Sequence, residues 1–210
     1  MSQVTIIDYG AGNLLNVQRA FEHCGAEVAI ATTPEQITAA DRLVFPGVGA
    51  FPEAMQQLQS QNLVAAIQEA AAEKPFLGIC LGMQMMLDAS EEFATTRGLQ
   101  LLPGLVKKLP AQSLSGDAMT IPHMGWAPIQ PGESGWVGSL LQSVPADNAF
   151  YFVHSYFSDL AEASDQLASF DFGGHGITAA VQRDNLMGCQ FHPEKSGELG
   201  LKIVKTFLQL

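Results

Sequence analysis

Short apolar runs and amphipathic stretches alternate along the first half of the chain. Residues 4–8 (VTIID) read as a buried strand and residues 10–13 as a turn. Asn13 can cap a helix over 14–24, with Gly25 at its end. Residues 27–31 return to a strand pattern and 34–39 to a short helix. Residues 42–45 form a further strand, stopped by Pro46-Gly47. Helical periodicity follows over 53–58 and 63–72, and residues 76–79 form the next strand. Strands alternating with helices of this length imply βαβ units, hence an α/β fold with a mostly parallel sheet covered on both faces.

The pattern then changes. Gly, Pro and β-formers dominate from about 102 to 176, which predicts shorter strands, loops and antiparallel pieces. Residues 177–182 and 186–191 flank Arg183-Asp184-Asn185 as a hairpin, and a helix over 197–208 closes the chain. No repeat, linker or low-complexity segment interrupts the pattern, so residues 1–210 are expected to form one domain.

Composition narrows the classes. A 210-residue chain with 47% hydrophobic and 15% charged residues can bury a full core without staples. Ten basic residues against 21 acidic ones give a net charge of −11. Lys107-Lys108 is the only adjacent basic pair, so the footprint that nucleic acid requires is missing. Three scattered cysteines without a CxxC pair point to a reducing, cytoplasmic compartment. The first residues carry no basic n-region, and the apolar stretch 76–87 falls short of the ~20 residues of a membrane span.

The chemistry concentrates at Gly78-Ile79-Cys80-Leu81-Gly82, where an apolar strand runs into a Met- and Leu-rich helix. This is the G-x-nucleophile-x-G arrangement of a nucleophile elbow with Cys in place of Ser. A nucleophile between strand and helix sits in a sharp, strained turn, and glycines two residues to either side relieve the crowding. The thiol then stands at a helix N-terminus, where the dipole favours a thiolate, and the Leu81 N–H is available to an oxyanion. Cys24 and Cys189 have no such flanks and read as packing residues.

A thiolate catalyst needs a base and a group that orients the base. His192 precedes Pro193, which ends a strand there, and Glu194 follows by two. One imidazole nitrogen can meet the carboxylate while the other faces the thiol. The loop Pro46-Gly47-Val48-Gly49 also follows a strand and precedes a helix, so a backbone N–H from Gly47, Val48 or Gly49 can complete an oxyanion hole. Tyr9-Gly10-Ala11-Gly12 fails as a dinucleotide fingerprint because the third glycine would fall at Leu15. His23 is expected on a helix surface and His175 in a loop. No His or Cys spacing suggests a metal site.

In order, PGVG at 46–49, GICLGMQ at 78–84 and FHPEKS at 191–196 resemble the class I, triad-type glutamine amidotransferases. Three more stretches, IDYGAGNL at 7–14, PHMGW at 122–126 and YFVHSY at 151–156, are similar to the glutaminase subunits of imidazole glycerol phosphate synthases. The resemblance implies a three-layer α/β sandwich without a cofactor. It implies glutamine hydrolysis and a heterodimer with a cyclase subunit, a (β/α)8 barrel. That partner would use the ammonia to make imidazole glycerol phosphate and an aminoimidazole-carboxamide ribonucleotide in histidine biosynthesis. By the same resemblance Gln84 and the Ser155-Tyr156 backbone hold the glutamine, with Glu92 of the Glu91-Glu92 pair a candidate for its polar end. Trp126 and His123, on a Gly/Pro-rich loop, and Tyr9 and Asn13, on the first loop, are expected as exposed anchors for the partner. One departure is Ala127, where the family often carries Asn.

Other readings remain open at this point. A sister amidotransferase serving pyridoxal phosphate or anthranilate synthesis shares the elbow and HPE, though not the three further stretches. Cysteine peptidases on an elbow fold often place His directly after the nucleophile, where this chain has Leu81. A binding module would require a broken triad, and all three members are here.

Overall fold

The structure is a computed structural model that describes residues 2–133 and 135–210. It opens with β1 (Gln3–Ile7), α1 (Leu14–His23), β2 (Glu27–Ala31), α2 (Pro34–Ala39), β3 (Leu43–Gly47), α3 (Phe51–Ser60) and α4 (Val64–Glu73). The elbow lies between β4 (Phe76–Cys80) and α5 (Leu81–Met85). Then come β5 (Ala89–Ser90), β6 (Thr96–Arg97), β7 (Gly104–Lys108), β8 (His123–Pro131), β9 (Ala149–His154) and β10 (Tyr156–Leu160). The chain ends with β11 (Gln166–Phe172), β12 (His175–Arg183), β13 (Leu186–Cys189) and α6 (Gly197–Phe207).

Nine strands form one mixed sheet in the order β2-β1-β3-β4-β13-β12-β11-β8-β9. The pairings from β2 to β13 are all parallel, and those from β13 to β9 all antiparallel. The parallel half is the part whose strands alternate with helices. A smaller sheet, β10-β7-β5-β6, packs beside it.

Side chains on the parallel strands alternate between two cores, as the two-residue period of a strand requires. Val44 and Leu77 face the core that holds Phe21 of α1 and Phe207 of α6, whose rings meet edge-on at 6.1 Å. Leu43, Phe45 and Phe76 face the other core, with Phe51, Met55 and Leu58 of α3 and Ile67 of α4. The result is three layers, helix on sheet on helix. No helix among the described residues is long and apolar enough to cross a membrane.

α2 has the bounds the sequence predicts because its start is over-determined. The Thr33 hydroxyl accepts from the Gln36 N–H, Gln36 returns a bond to the Thr33 N–H, and Pro34 sits at the first helical position. Asn13 precedes α1 but makes no side-chain cap, so burial of Val17, Ala20 and Phe21 holds that helix instead. The hairpin appears as β12 and β13 around Asp184, which adopts a φ of +51°.

Other expectations change as well. β3 runs on through Pro46 and Gly47, where a stop was expected, and β13 ends at Cys189 rather than at 191. The helix after the elbow is a single turn of five residues, followed by two short strands, so the dipole behind the thiol is that of one turn. The segment with His123 and Trp126, expected as a loop, is strand β8, paired antiparallel with β9 so that His123 faces His154 and Trp126 faces Tyr151. His175 is the first residue of β12 rather than a loop residue.

Candidate active site

Cys80 ends β4 and caps α5 with φ +55° and ψ −112°, a backbone conformation that costs a non-glycine residue about 1–3 kcal/mol. The strain is held because α5 lies directly on the sheet. A Cβ on Gly78 would come within 2.8 Å of the Met83 backbone, and one on Gly82 would overlap the Phe45 carbonyl of β3. The two glycines of the motif are therefore floor and wall of the turn.

His192 follows β13 and is stitched to β9. Its N–H donates to the Tyr151 carbonyl (3.0 Å), and its own carbonyl accepts from the Ser196 hydroxyl (2.7 Å). The ring Nδ1 meets Glu194 Oε1 at 2.8 Å, and both side chains are almost wholly buried. Nε2 meets no hydrogen-bonding geometry with the described residues, yet the Cys80 sulfur is close enough to help hold its proton. Burial pushes the imidazole pKa down, but Cys80 and Glu194 together outweigh it and raise it to about 9. At neutral pH the ring therefore carries the proton that a departing amine needs.

These groups open into a cavity of about 290 Å³. Gln84, Glu92, Ser155 and Tyr156 line it with Cys80 and His192, so the four expected glutamine ligands gather at one place. Gln84 Nε2 donates to the Tyr156 carbonyl at 2.8 Å, and Glu92 Oε2 accepts from the Phe51 N–H at 2.7 Å. Glu91, its neighbour, faces solvent. Val48 and Gly49 form part of the cavity wall. Gly47 pairs with Cys80 across β3 and β4, and its Cα packs against Leu81 and Gly82. Leu81 is the first residue of α5, where an N–H has no intrahelical acceptor.

The expected partner contacts divide. Trp126 is 57% exposed, its ring edge-on to Tyr151 at 6.0 Å, and Met124 beside it is exposed as well. Asn13 is half-buried above a crevice that reaches Glu194. His123 is half-buried and stacks on Phe170 at 5.1 Å, turned inward rather than presented as an anchor. Tyr9 is wholly buried: its ring packs on Phe45 at 5.4 Å and its hydroxyl lies against Gly47. Tyr9 is not exposed because it follows β1, which pairs with β3, and its ring turns onto Phe45 of that neighbouring strand. Ala127 is also buried and adds to the core rather than to the surface around Trp126.

Two residues that sequence reasoning left without a role belong here. Gln190 Nε2 lies 3.7 Å from Cys80 Sγ, two positions before His192 in the bend that follows β13. His154 lines the cavity, with Nδ1 at 2.8 Å from the Tyr156 carbonyl. A carbonyl only accepts, so Nδ1 carries the hydrogen. Burial lowers the His154 pKa to about 4, with His123 and His192 adding to the effect and the Tyr156 carbonyl opposing it.

Between about pH 6.5 and pH 4 the unfolded chain binds a proton at His154 that the folded one does not, so stability falls as pH falls through that window. The loss from this one group is on the order of 3 kcal/mol. Urea unfolding of the wild type and His154→Gln at several pH values checks this. The wild type is expected to lose more stability over the window, and parallel curves would refute it.

Comparison with known proteins places this geometry in a family. Residues 5–209 match the family model described as glutamine amidotransferase class-I. Imidazole glycerol phosphate synthase subunit HisH 1 of Legionella pneumophila (strain Paris) is 46% identical over 213 residues, covering 100% of both chains. The subunit HisH of Moorella thermoacetica is 44% identical, covering 100% of this chain and 96% of its own. Among solved structures, PurLQS from Thermotoga maritima superposes with a TM-score of 0.73 at 16% identity, covering 99% of this chain and 97% of the other. The glutaminase domain of Trypanosoma brucei CTPS with bound acivicin gives 0.62 at 18% identity, covering 100% and 92%. These distant structures share the fold, and the close relatives share the sequence from end to end. The chain belongs to the class-I glutamine amidotransferases and, within them, to the HisH subunits of imidazole glycerol phosphate synthase.

Proposed function

We propose that this chain hydrolyses glutamine to glutamate and ammonia at Cys80 and delivers the ammonia to a cyclase subunit in a cytoplasmic heterodimer. The observation that carries the reading is a strained cysteine elbow opposite a histidine oriented by glutamate, inside a cavity lined by Gln84, Glu92, Ser155 and Tyr156. Its close relatives are named as synthase subunits, which supplies the acceptor chemistry.

The Cys80 sulfur, as thiolate, attacks the side-chain carboxamide carbon of glutamine. The N–H of Leu81 and one from Gly47–Gly49 take the developing oxyanion, each donor contributing about 3–4 kcal/mol in acyl transfer. The tetrahedral intermediate collapses as His192 passes its proton to the amide nitrogen, which leaves as ammonia. Glu194 keeps the imidazole in the required tautomer and orientation. The neutral ring then takes a proton from water, which attacks the thioester and expels the thiolate with glutamate. The exposed Trp126 and Met124 face the cyclase subunit together with Asn13, and by family likeness that subunit is a (β/α)8 barrel. The joint between the subunits shields ammonia from solvent.

Glutamate release by the purified chain, alone and then with the cyclase subunit and its ribonucleotide ligand, tests this. Slow release alone and a large rise with the liganded partner are expected, because binding energy at the interface can favour the productive geometry of the oxyanion loop. An unresponsive chain would overturn the assignment to this synthase and favour a sister amidotransferase with another acceptor subunit.

A further inference from the structure

Gln190 is wholly buried against Cys80 and Gln84, behind the wall of the glutamine pocket, and the mechanism above gives it no task. Its orientation can be deduced. The Tyr156 carbonyl can only accept, so the end of the Gln84 amide that faces it at 2.8 Å must be the NH2 group. The second hydrogen of that NH2 points to Gln190, 2.9 Å away, which must therefore present its oxygen. Turning the Gln190 amide over would set two NH2 groups against each other. With its oxygen fixed, the Gln190 NH2 faces Cys80 Sγ at 3.7 Å, a distance suited to a sulfur acceptor. One backbone carbonyl thus fixes two side-chain amides in series and aims a donor at the sulfur.

We infer that Gln190 is a positioning residue for the nucleophile: its amide, locked through Gln84 to the Tyr156 carbonyl, donates a hydrogen bond to the Cys80 sulfur. The inference deepens the glutaminase reading and rests on it. The bond holds the sulfur in one rotamer beside His192 and supports negative charge there, in a place where buried surroundings strengthen a charge-assisted bond. It weakens as the thioester forms and charge leaves the sulfur, then strengthens as deacylation returns the thiolate. Gln190 therefore favours the sulfur as a leaving group in the second half-reaction as well as fixing its aim in the first. Because Gln84 is in the same chain, the nucleophile and the substrate pocket share one anchor.

The test uses Gln190→Glu, which keeps the shape and replaces the donor by an acceptor, and Gln190→Leu, which removes both. Glutamate release by the complex is followed alongside iodoacetamide alkylation of Cys80 as a function of pH, read by peptide mass spectrometry. Gln190→Glu is expected to lower kcat roughly ten- to hundred-fold, as loss of a bond to a charged group does, with a much smaller change in KM. Its Cys80 alkylation should reach half-maximum at higher pH, and Gln190→Leu should move in the same direction by less. A purely structural role would lower the thermal midpoint and leave the alkylation profile where it was, and that result overturns the inference.

A second measurement needs no variant to fold or turn over. In wild-type protein labelled with 15N at glutamine side chains, one buried amide should shift when Cys80 is alkylated and should titrate with the thiol. Buried glutamine amides that ignore the state of the sulfur would also overturn it. Wild-type protein that released no glutamate would defeat the functional reading, and the amide spectrum would still decide the contact.

Discussion

Cys80→Ala is expected to release glutamate at least about ten-thousand-fold more slowly than the wild type, while the complex still makes product when ammonia is supplied directly. The size follows from how the sulfur is placed. It is the only thiol on the cavity wall among the described residues. Cys24 lies half-buried with its sulfur 3.6 Å from the Leu201 carbonyl, and Cys189 is buried with burial pushing its thiol pKa up. Neither can substitute. Alanine keeps the strained backbone at residue 80 and leaves the floor formed by Gly78 and Gly82 intact, so the fold and the partner surface persist. Glutamate release by the variant at the wild-type rate would remove the nucleophile assignment. Loss of ammonia-dependent synthesis as well would show that residue 80 does more than supply the sulfur.

Gly82→Ala is expected to act on the fold rather than on the chemistry. The new Cβ would overlap the Phe45 carbonyl oxygen and lie 2.8 Å from its carbon. Phe45 cannot move aside, because β3 is hydrogen-bonded on both edges, to β1 and to β4. A flexible side chain could swing away, but backbone held in the middle of a sheet cannot. The expected cost is more than about 4 kcal/mol, the range reserved for overpacking that has no route of relief. Gly176→Ala is the control. It lies in β12 with nothing within 4 Å of a Cβ and should stay within about 1 kcal/mol of the wild type. Urea unfolding of both variants measures the contrast. A Gly82→Ala protein as stable as Gly176→Ala would mean that α5 is not clamped to β3 and that this contact does not hold the strained elbow.

The sequence was most readable where local signals agreed with the tertiary contacts. At α2, a Thr-Pro start and a Gln three residues after the cap specify the helix locally, and the structure keeps those bounds. At the elbow, the glycines mark a turn that only close packing requires, so the motif and the fold report the same constraint. The HPE stretch is legible for a similar reason: Pro193 opens a single tight turn that sets Glu194 within reach of the ring it orients, although the strand before it already ends at Cys189.

Where pairing across the sheet decides the outcome, the sequence is silent. The segment around Trp126 contains Gly125 and Pro128 and looks like a loop. It becomes a strand because β9 lies beside it, more than twenty residues away along the chain. Tyr9 sits between Asp8 and Gly10, a surface context by composition, yet the cavity beside Phe45 and Gly47 takes its ring. Gln190 was visible only as a letter before FHPE. Its place depends on Gln84 and Tyr156, which no local pattern ties to it. His154 gains a neutral ring from the aromatic cluster of β8, β9 and β11 around it, again a property of the assembled sheet.

The proposed hydrolysis runs through one thiol, Cys80. A glutamine analogue with an electrophilic carbon in place of the amide tests it most directly. The complex is incubated with the analogue, residual glutamate release is measured, and the modified peptide is identified by mass spectrometry. Activity is expected to fall in proportion to one adduct per chain, on Cys80, and glutamine is expected to protect against it. Inactivation with the adduct on Cys24 or Cys189, or full labelling of Cys80 with glutamate release unchanged, would contradict it.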